Sequence, residues 1–500
     1  MNCFILRILL IFFFLNLTIV SAQGIVNKWV IGYPGGGSNV LIEFNRDSIL
    51  SIDTLHLKMS FRDLNASICD SHGDLLFYTN GGWIANSTHD TMMNGNNLVP
   101  GTYATNWKHD GFRIPQGAVI VPFPDDSSKY YLFHETADLI GNTVIPCKNL
   151  FYSVIDMNLD IGLGAVTLKN IVLLNDTLSY GALTVCKHAN GRDWWLLCHQ
   201  AHSDLFFEYL VTPAGILGPY TQNIGSIINE GGAGQACFSP DGKKYARYFP
   251  DDDLDIYDFD RCTGLLSNSV HISIYDSSFA GGISFSLNSR YVYISSQDYI
   301  YQFDVNDTNI SSTKDTVAIY DGFSSPFPPF NSYFYLTQLA PDGRIYISAP
   351  NSMDYLHVID SPDSGGNACN VIQHGIYLKT YNGTAIPNHP NYFLRADSGS
   401  VCDTLMLSDS PIKNSQILKD KKISVFYDGQ KAFVNAIGLH DKTYTLQVID
   451  VLGHLVIEHK GAVNGSYATY DVPCTGFASG IYFVSVITDQ EQLDCKFVKE

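Results

Sequence analysis

Short apolar runs broken by Asp, Asn and Gly recur along the middle of this chain. The runs start at Ala66 (ASICDSHGDLLFYTNG), Ala118 (AVIVPFPDDSSKYYLFHE), Ala182 (ALTVCKHANGRDWWLLCHQ), Ala236 (ACFSPDGKKYARYF), Ile283 (ISFSLNSRYVYISS) and Thr337 (TQLAPDGRIYISAP). Each is a strand, a tight turn and a second strand rich in aromatic or β-branched residues. Further strand ends with an aromatic-x-Asp flavour occur between them, as in LDIYDFD, IYQFDV and LHVIDS. The starts lie roughly 45 to 65 residues apart, the spacing of four-stranded propeller blades. One small sheet cannot bury both of its faces, whereas sheets stacked around an axis can, leaving only short edges. The sequence therefore predicts an all-β chain whose main body, 24–407, is a β-propeller. Six units are visible, and the strand NKWVIGY with the segment after Asn391 would supply or close another. Seven blades are expected, with six or eight as alternatives; two stacked sandwiches fit less well, because the turn recurs in phase.

A second pattern begins near residue 420, after a polar stretch, 408–419, that reads as a linker. The runs KKISVFYDG, YTLQVIDVLGHLVIEH and ATYDVPCTGFASGIYFVSVITDQEQLDCKFVKE have hairpin turns at Asp428-Gly429, Leu452-Gly453 and Asn464-Gly465. They predict a small β-sandwich over 420–500. At the other end, Arg7, the apolar stretch Ile8–Val20 and Ser21-Ala22-Gln23 form the pattern of a cleavable signal peptide over 1–23. No later segment reaches about 18 uninterrupted apolar residues, so no membrane span is expected in the mature chain.

Charged residues are sparse at 16% while aromatic ones reach 13%, and the formal net charge is −19. With no basic stretch to meet phosphates, nucleic acid is not an expected partner. Of eleven cysteines, Cys3 lies in the leader, and the other ten suit an oxidising compartment. The expected pairs are Cys186 with Cys198 across the Asn190-Gly191 turn, Cys237 with Cys262, and Cys369 with Cys402.

Candidate chemistry is thin. Ser239–Gly242 and Pro341-Asp342-Gly343 look like metal or catalytic loops, yet Pro followed by Asp-Gly is the chemistry of a tight turn. Asp251, Asp253 and Asp255 offer carboxylates for calcium but lack EF-hand spacing, and alternation puts Asp255 on the opposite face from Asp258 and Asp260. No other cofactor is expected. The long insertion from Gly81 to Arg113 carries His89, Trp83, Tyr103 and Trp107, and loops of that length decorate propeller faces and bind ligands. His188, His199 and His202 cluster near Trp194-Trp195 without metal-site spacing. His134 and Glu135 end a blade strand and are the best catalytic pair, although no Gly-x-Ser-x-Gly elbow, His-Glu-x-x-His helix or phosphate loop occurs, so the catalytic residues stay unknown.

The C-terminal residues Tyr444, Leu446, Val448, Asp450 and Gly453, then Ala478 to Phe483 with Gly480 and Tyr482, and the final Lys499, resemble the type A sorting domain of the bacterial type IX secretion system. Where that family opens with Pro-Asn-Pro, this chain has Val425, Phe426, Tyr427 and Asp428. The body resembles a group of secreted propeller-like proteins from bacteria with that system, in NKWVIGY, ASICDSHGDLLFYTNG, His89, MNGNNL, HANGRDWW, FSPDGKK and DFDRCTGLLSN; PGGGSN at Pro34 to Asn39 replaces that group's acidic segment. These resemblances imply export through the periplasm by the type IX machinery to the cell surface or the medium. They bring no catalytic residue with them. The sequence thus favours a noncatalytic binding or adhesion propeller with an extracellular glycan or protein ligand, the alternative being a secreted hydrolase or lyase working in the central funnel.

Overall fold

The computed structural model describes residues 24–33, 38–140, 143–228, 233–325, 329–403, 422–427, 431–437, 439, 441–463, 467–490 and 492–499. The leader 1–23, the linker 408–419 and the turns at Asp428-Gly429 and Asn464-Gly465 lie outside them.

Seven antiparallel sheets make up the body. The innermost strands, in chain order, are Lys28–Ile31, Ala66–Cys69, Ala118–Phe123, Thr184–Lys187, Gln235–Phe238, Gly281–Phe285 and Thr337–Leu339. Blades 3 to 7 have four strands and blades 1 and 2 have three. Inner strands such as Ala66–Cys69 and Gly281–Phe285 are buried along their whole length, whereas outermost strands such as Gly215–Ile228 alternate with solvent. That gradient is what radial stacking produces: an inner strand is covered on both faces, an outer one lies at the rim.

The cores between blades form an unbroken circle. Val30, Phe61 and Tyr78 pack blade 1 on blade 2, and a large cluster from Ile68 through Leu132 to Leu196 joins blades 2, 3 and 4. Blades 4 and 5 meet at Trp195, Phe206 and Tyr257, blades 5 and 6 at Ile256 and Ile294, and blades 6 and 7 at Tyr293 and Ile347. Trp29 closes the circle, lying 4.8 Å from Phe44 and 5.7 Å from Tyr346 of blade 7, ring centre to ring centre.

The turns between first and second strands obey the expected chemistry. In Ser239–Gly242 the Asp241 carboxylate accepts from Ser239 Oγ (2.6 Å) and from the Lys243 amide (3.0 Å), while Gly242 adopts φ +72°. Blade 1 departs from the other six. Asn65 Nδ2 donates to Val30 O (2.7 Å) and Cys69 N donates to Ile25 O (2.9 Å), so Lys28–Ile31 runs antiparallel to its neighbour Ala66–Cys69. The segment after Asn391 forms no strand. Instead residues 383–393 pass down the inside of the ring, beginning where the Gly383 amide donates to Gly32 O (2.7 Å).

The C-terminal strands form two facing sheets. One contains Lys422–Tyr427, Lys431–Ile437 and Tyr467–Pro473; the other Leu455–Ala462, Thr443–Asp450, Gly480–Ile487 and Gln492–Lys499. Their inward side chains, Val434, Leu446, Val448, Val472, Val484 and Phe497 among them, fill one core. Gly453 takes φ +86° in a turn where Asp450 Oδ1 accepts from the Leu452 and His454 amides. Tyr482 OH donates to Ala478 O (2.8 Å), and Lys499 Nζ donates to Cys474 O (2.8 Å) and Phe477 O (2.6 Å). Of the four residues singled out in this region, Gly453 closes a turn, Gly480 begins the strand Gly480–Ile487, Tyr482 anchors the start of that strand and Lys499 fastens the last one.

The three expected disulfides are replaced by one, Cys262–Cys402, with Cα atoms 5.6 Å apart. Cys186 lies opposite Trp195 in the register of its hairpin, an odd offset from Cys198, so the two thiols enter different cores. Cys237 sits inside blade 5 opposite Ala246, and Cys369 is buried beside Tyr293, while their expected partners Cys262 and Cys402 are bonded to each other. The other eight described cysteines form no disulfide. Among the described residues no helix is long and apolar enough to cross a membrane.

The bridge spans 140 residues of sequence, and a cross-link over a loop of that length typically stabilises by about 2–4 kcal/mol. The double variant Cys262→Ser/Cys402→Ser should melt several degrees lower in calorimetry, and reductant should bring the parent down to the variant while leaving the variant unmoved. A variant that melts with the parent would show that the bridge carries no stability.

Candidate functional site

The centre of the ring is not an open funnel. Asn388 fills it: its amide N donates to Asn65 O (2.9 Å), its Nδ2 to Ala118 O (2.9 Å) and Leu183 O (3.0 Å), and its Oδ1 accepts from Gln116 Nε2 (3.3 Å). One side chain thus touches the entrances to blades 3 and 4, and its backbone that of blade 2. Next to it His389 Nε2 lies 3.0 Å from Ser67 O, and Gln338 Nε2 of blade 7 donates to His389 O (3.0 Å). Asn391 Nδ2 donates to Pro240 O of blade 5 (2.6 Å), and Tyr392 OH to Ile120 O of blade 3 (2.7 Å). Glutamines bind further across the axis. Gln116 takes both the N–H and the C=O of Ala236, and Gln235 takes those of Thr337. These inward amides meet main-chain groups that ladder pairing leaves unused.

Below this plug a cavity of about 160 Å³ opens among Phe238, Pro240, Phe285, Leu287, Pro341 and Phe393. Above it, where the inner strands of blades 2 to 7 begin, a different surface gathers. Arg62 and Asp63 precede blade 2, Arg113 precedes blade 3, Tyr180 precedes blade 4 and Tyr335 precedes blade 7. Trp107, at the end of the helix Thr102–Trp107, has the Arg113 guanidinium carbon 4.4 Å and that of Arg62 5.3 Å from its ring centre. The Arg113 backbone is held twice: its N–H donates to Tyr103 OH (2.9 Å) and its carbonyl accepts from Tyr180 OH. Burial pushes the Asp63 carboxyl above its ordinary range, against the opposing pull of the Thr384 and Tyr335 hydroxyls and the two guanidiniums. Burial likewise raises the Tyr335 and Tyr180 hydroxyls.

On the same face the loop from Ser273 to Ala280 holds two aromatic rings in solvent, Tyr275 at 94% and Phe279 at 62% exposure. The loop itself is fastened. Ile274 N donates to Asp253 Oδ1 (2.7 Å), Ser296 Oγ to Asp276 Oδ2 (2.6 Å) and Ser278 Oγ to Ala280 O (2.7 Å).

The residues expected to bind ligand divide. Tyr103 and Trp107 belong to the upper mouth, with Tyr103 buried beneath it. Trp83 packs instead into the core between blades 1 and 2, and His89 Nδ1 pairs with Tyr78 OH (3.1 Å) at the edge of blade 2. The long insertion is largely built structure: it contains the strand Ile84–Asn86, the buried Met92 and Leu98, and the short helix.

Two of the three carboxylates of the acidic run already have side-chain partners. Asp255 accepts from Arg247 Nη2 (2.8 Å), Arg247 Nε (3.0 Å) and Ser226 Oγ, with His271 Nδ1 3.0 Å away. Asp253 faces His271 Nε2 at 3.4 Å, and Asp251 is exposed. Among the described residues no three His, Cys, Asp or Glu side chains gather as a metal site.

His134 and Glu135 are adjacent on one strand and point to opposite faces. His134 Nε2 pairs with Ser153 Oγ (3.0 Å), and burial lowers its pKa to about 3. Burial raises the Glu135 carboxyl well above its usual range, with the Cys147 thiol and the Gly181 amide opposing. This pair is no acid–base dyad. His188 serves its turn, Nδ1 accepting from the Asn190 amide (3.0 Å), and His199 sits edge-on to Phe206 in the blade core.

Residues 431–500 match the secretion system C-terminal sorting domain, which marks the chain for secretion to the cell surface or the extracellular space through the type IX machinery. No curated protein matches the chain. Among solved structures it is similar to a functionally unknown protein from Desulfotomaculum acetoxidans, at 16% identity and a TM-score of 0.37 over 73% of this chain and 99% of that one. A putative 6-phosphogluconolactonase from Bacteroides fragilis aligns at 13% identity and a TM-score of 0.39, over 73% and 96%. The Dos1 propeller aligns at 10% and 0.37, over 72% and 87%.

The plug makes the ring sensitive to acid. Burial lowers the His389 pKa to about 4, because a proton on Nδ1, which has no partner, would be a buried unpaired charge. An unfolded histidine takes its proton near pH 6.5. Below that pH the unfolded chain gains a proton that the folded one refuses, so this term destabilises from about pH 6.5 down to about 4 and is constant beyond. Buried carboxyls such as Glu208, raised to about 7, act with the opposite sign. The informative quantity is therefore a difference: relative to the parent, His389→Asn should gain about 2–3 kcal/mol of stability between pH 7.5 and 4.5 in chemical denaturation. A pH-independent difference would place the histidine in contact with water.

Proposed function

We propose that this secreted propeller is a noncatalytic binding protein that holds an extracellular glycan on its upper face. One observation carries the reading: Tyr275 and Phe279 stand in solvent on a fastened loop, above an axis closed by the chain's own tail. Aromatic rings held in water cost free energy, and a rigid pair of them is the ordinary surface for the apolar face of a sugar ring. The enzyme alternative needs a funnel with convergent acid and base. Here the funnel is filled by Asn388 and its neighbours, and the buried His134 and Glu135 turn apart.

In this reading the propeller ends by residue 407, the sorting domain begins near 420, and the intervening stretch is a tether. Calcium has no part in it. Deleting residues 421–500 should leave a folded propeller confined to the periplasm, detected by fractionation and by an unchanged melting temperature of the 24–407 body. Appearance of the truncated chain at the surface would mean that the C-terminal sandwich is not its export signal.

For the binding step, the full secreted chain probed on a glycan array should retain one family of sugars without releasing reducing ends. Tyr275→Ala and Phe279→Ala should each weaken retention about tenfold, equivalent to about 1.4 kcal/mol. Turnover of the retained glycan, or retention indifferent to both substitutions, would sink the proposal.

A further inference from the structure

The upper mouth also carries an unspent charge. Arg192, Arg247, Arg290 and Arg344 are each paired with an aspartate, and Arg261 donates to the main-chain carbonyls of Lys187, His188 and Arg395. Arg62 and Arg113 do neither, and unlike the exposed Arg46 and Arg395, which also make no such contact, they share one aromatic ring. Among the described residues no carboxylate oxygen lies within 4.0 Å of either guanidinium, and Arg62 Nε is buried without a hydrogen-bond partner. In a chain of net charge −19, two such groups sharing one indole are not left over from surface chemistry. Like charges that close repel, and Trp107 holds them there by cation–π contact with both. Tyr103 and Tyr180 fix the Arg113 backbone from two sides. A guanidinium laid over an aromatic ring keeps its in-plane N–H edge free, the edge that meets a carboxylate with two parallel hydrogen bonds.

We infer that the Arg62–Trp107–Arg113 mouth is an anion site and that the glycan it takes is acidic, its ring carboxylates received by the two guanidiniums. This rests on the upper-face binding reading and adds the charge of the ligand. The neighbouring carboxylate, Asp63, is enclosed beside the hydroxyls of Tyr335 and Thr384 and makes no ion pair with either arginine. On the lower face the cations Lys243, Lys244 and Arg261 line a cavity together with Asp241, Asp258, Asp260 and Asp397, so there the positive charges are matched by carboxylates.

The test uses the full-length chain in calorimetric titration against polygalacturonate, its fully methyl-esterified form, a sulfated dextran, a neutral glucan and poly-glutamate. Binding to polygalacturonate should exceed binding to the methyl ester, which keeps the ring and loses the charge, at least tenfold. It should weaken as sodium chloride rises from 50 to 500 mM. Arg113→Gln, at an exposed position, and Arg62→Gln should each lower the affinity tenfold or more at an unchanged melting temperature, with Arg113→Lys between parent and Gln variant. Equal binding to the ester, preference for sulfate or poly-glutamate, or affinity indifferent to Arg113→Gln would overturn the inference. Glucan binding that depends on Tyr275 and Phe279 but not on the arginines would overturn it while leaving the glycan-binding proposal in place. Binding to none of the five probes would remove both.

Discussion

A ring of small sheets has an obligation that a sandwich does not: each blade needs a neighbour on both sides, so the first and the last must meet. In this chain the last blade meets the first through Trp29, Phe44 and Tyr346, and the joint is backed by residues 383–393 passing down the axis. Asn388 supplies what seven converging inner strands lack, donors and acceptors for main-chain groups that face the axis rather than a partner strand. An empty channel would fill with water at little cost. A channel filled by amides instead ties blades 2, 3, 4, 5 and 7 to one short segment, and the Cys262–Cys402 bridge pins that segment's far end.

The two faces of the ring consequently differ in chemistry. The lower face carries the turns, the disulfide and an apolar cavity. The upper face carries the strand entrances, and with them every long connection that the ring does not need for its own pairing. Arg62, Arg113, Tyr180 and Tyr335 all sit two to five residues ahead of an inner strand, so the fold brings together side chains separated by as much as 273 residues through a shared position in the blade, not through proximity in sequence. Asn388 and its neighbours close the axis above the lower cavity, so these connections form the surface of the upper face.

Much of the architecture was legible because it rests on local rules. Strand alternation and Asx turns with Gly at φ > 0 announce each unit, and Val425 to Lys499 announce the sandwich in the same way. The disulfide was not legible: Cys262 and Cys402 meet because the tail doubles back beneath blade 5, a tertiary fact that no spacing encodes. The tail itself, AIPNHPNYFLRAD, reads as a polar, proline-broken loop, and its burial appears only once the axis exists to receive it. Of the residues expected at a binding site, Tyr103 and Trp107 stood out as aromatics in a long insertion and lie at the upper mouth, while Trp83 and His89 shared that signal and turned inward. Arg62 and Arg113 went unnoticed because a lone arginine before a strand looks like ordinary surface, although each sits at the blade entrance that the turn pattern already located.

The reversed first strand has a further meaning for the order of events in the life of the chain. In blade 1 the inner strand Lys28–Ile31 runs the opposite way from the other six, and the segment whose Gly383 amide meets Gly32 is encoded some 350 residues later. A chain made from its N-terminus therefore stays an open arc, its first and last blades not yet backed along the axis, until residues 383–393 have been added. The sorting domain, matched over residues 431–500, follows them in the sequence. The passenger thus becomes a finished body at nearly the moment its address emerges, so that the signal for the next step of export is presented on cargo that has only just become complete.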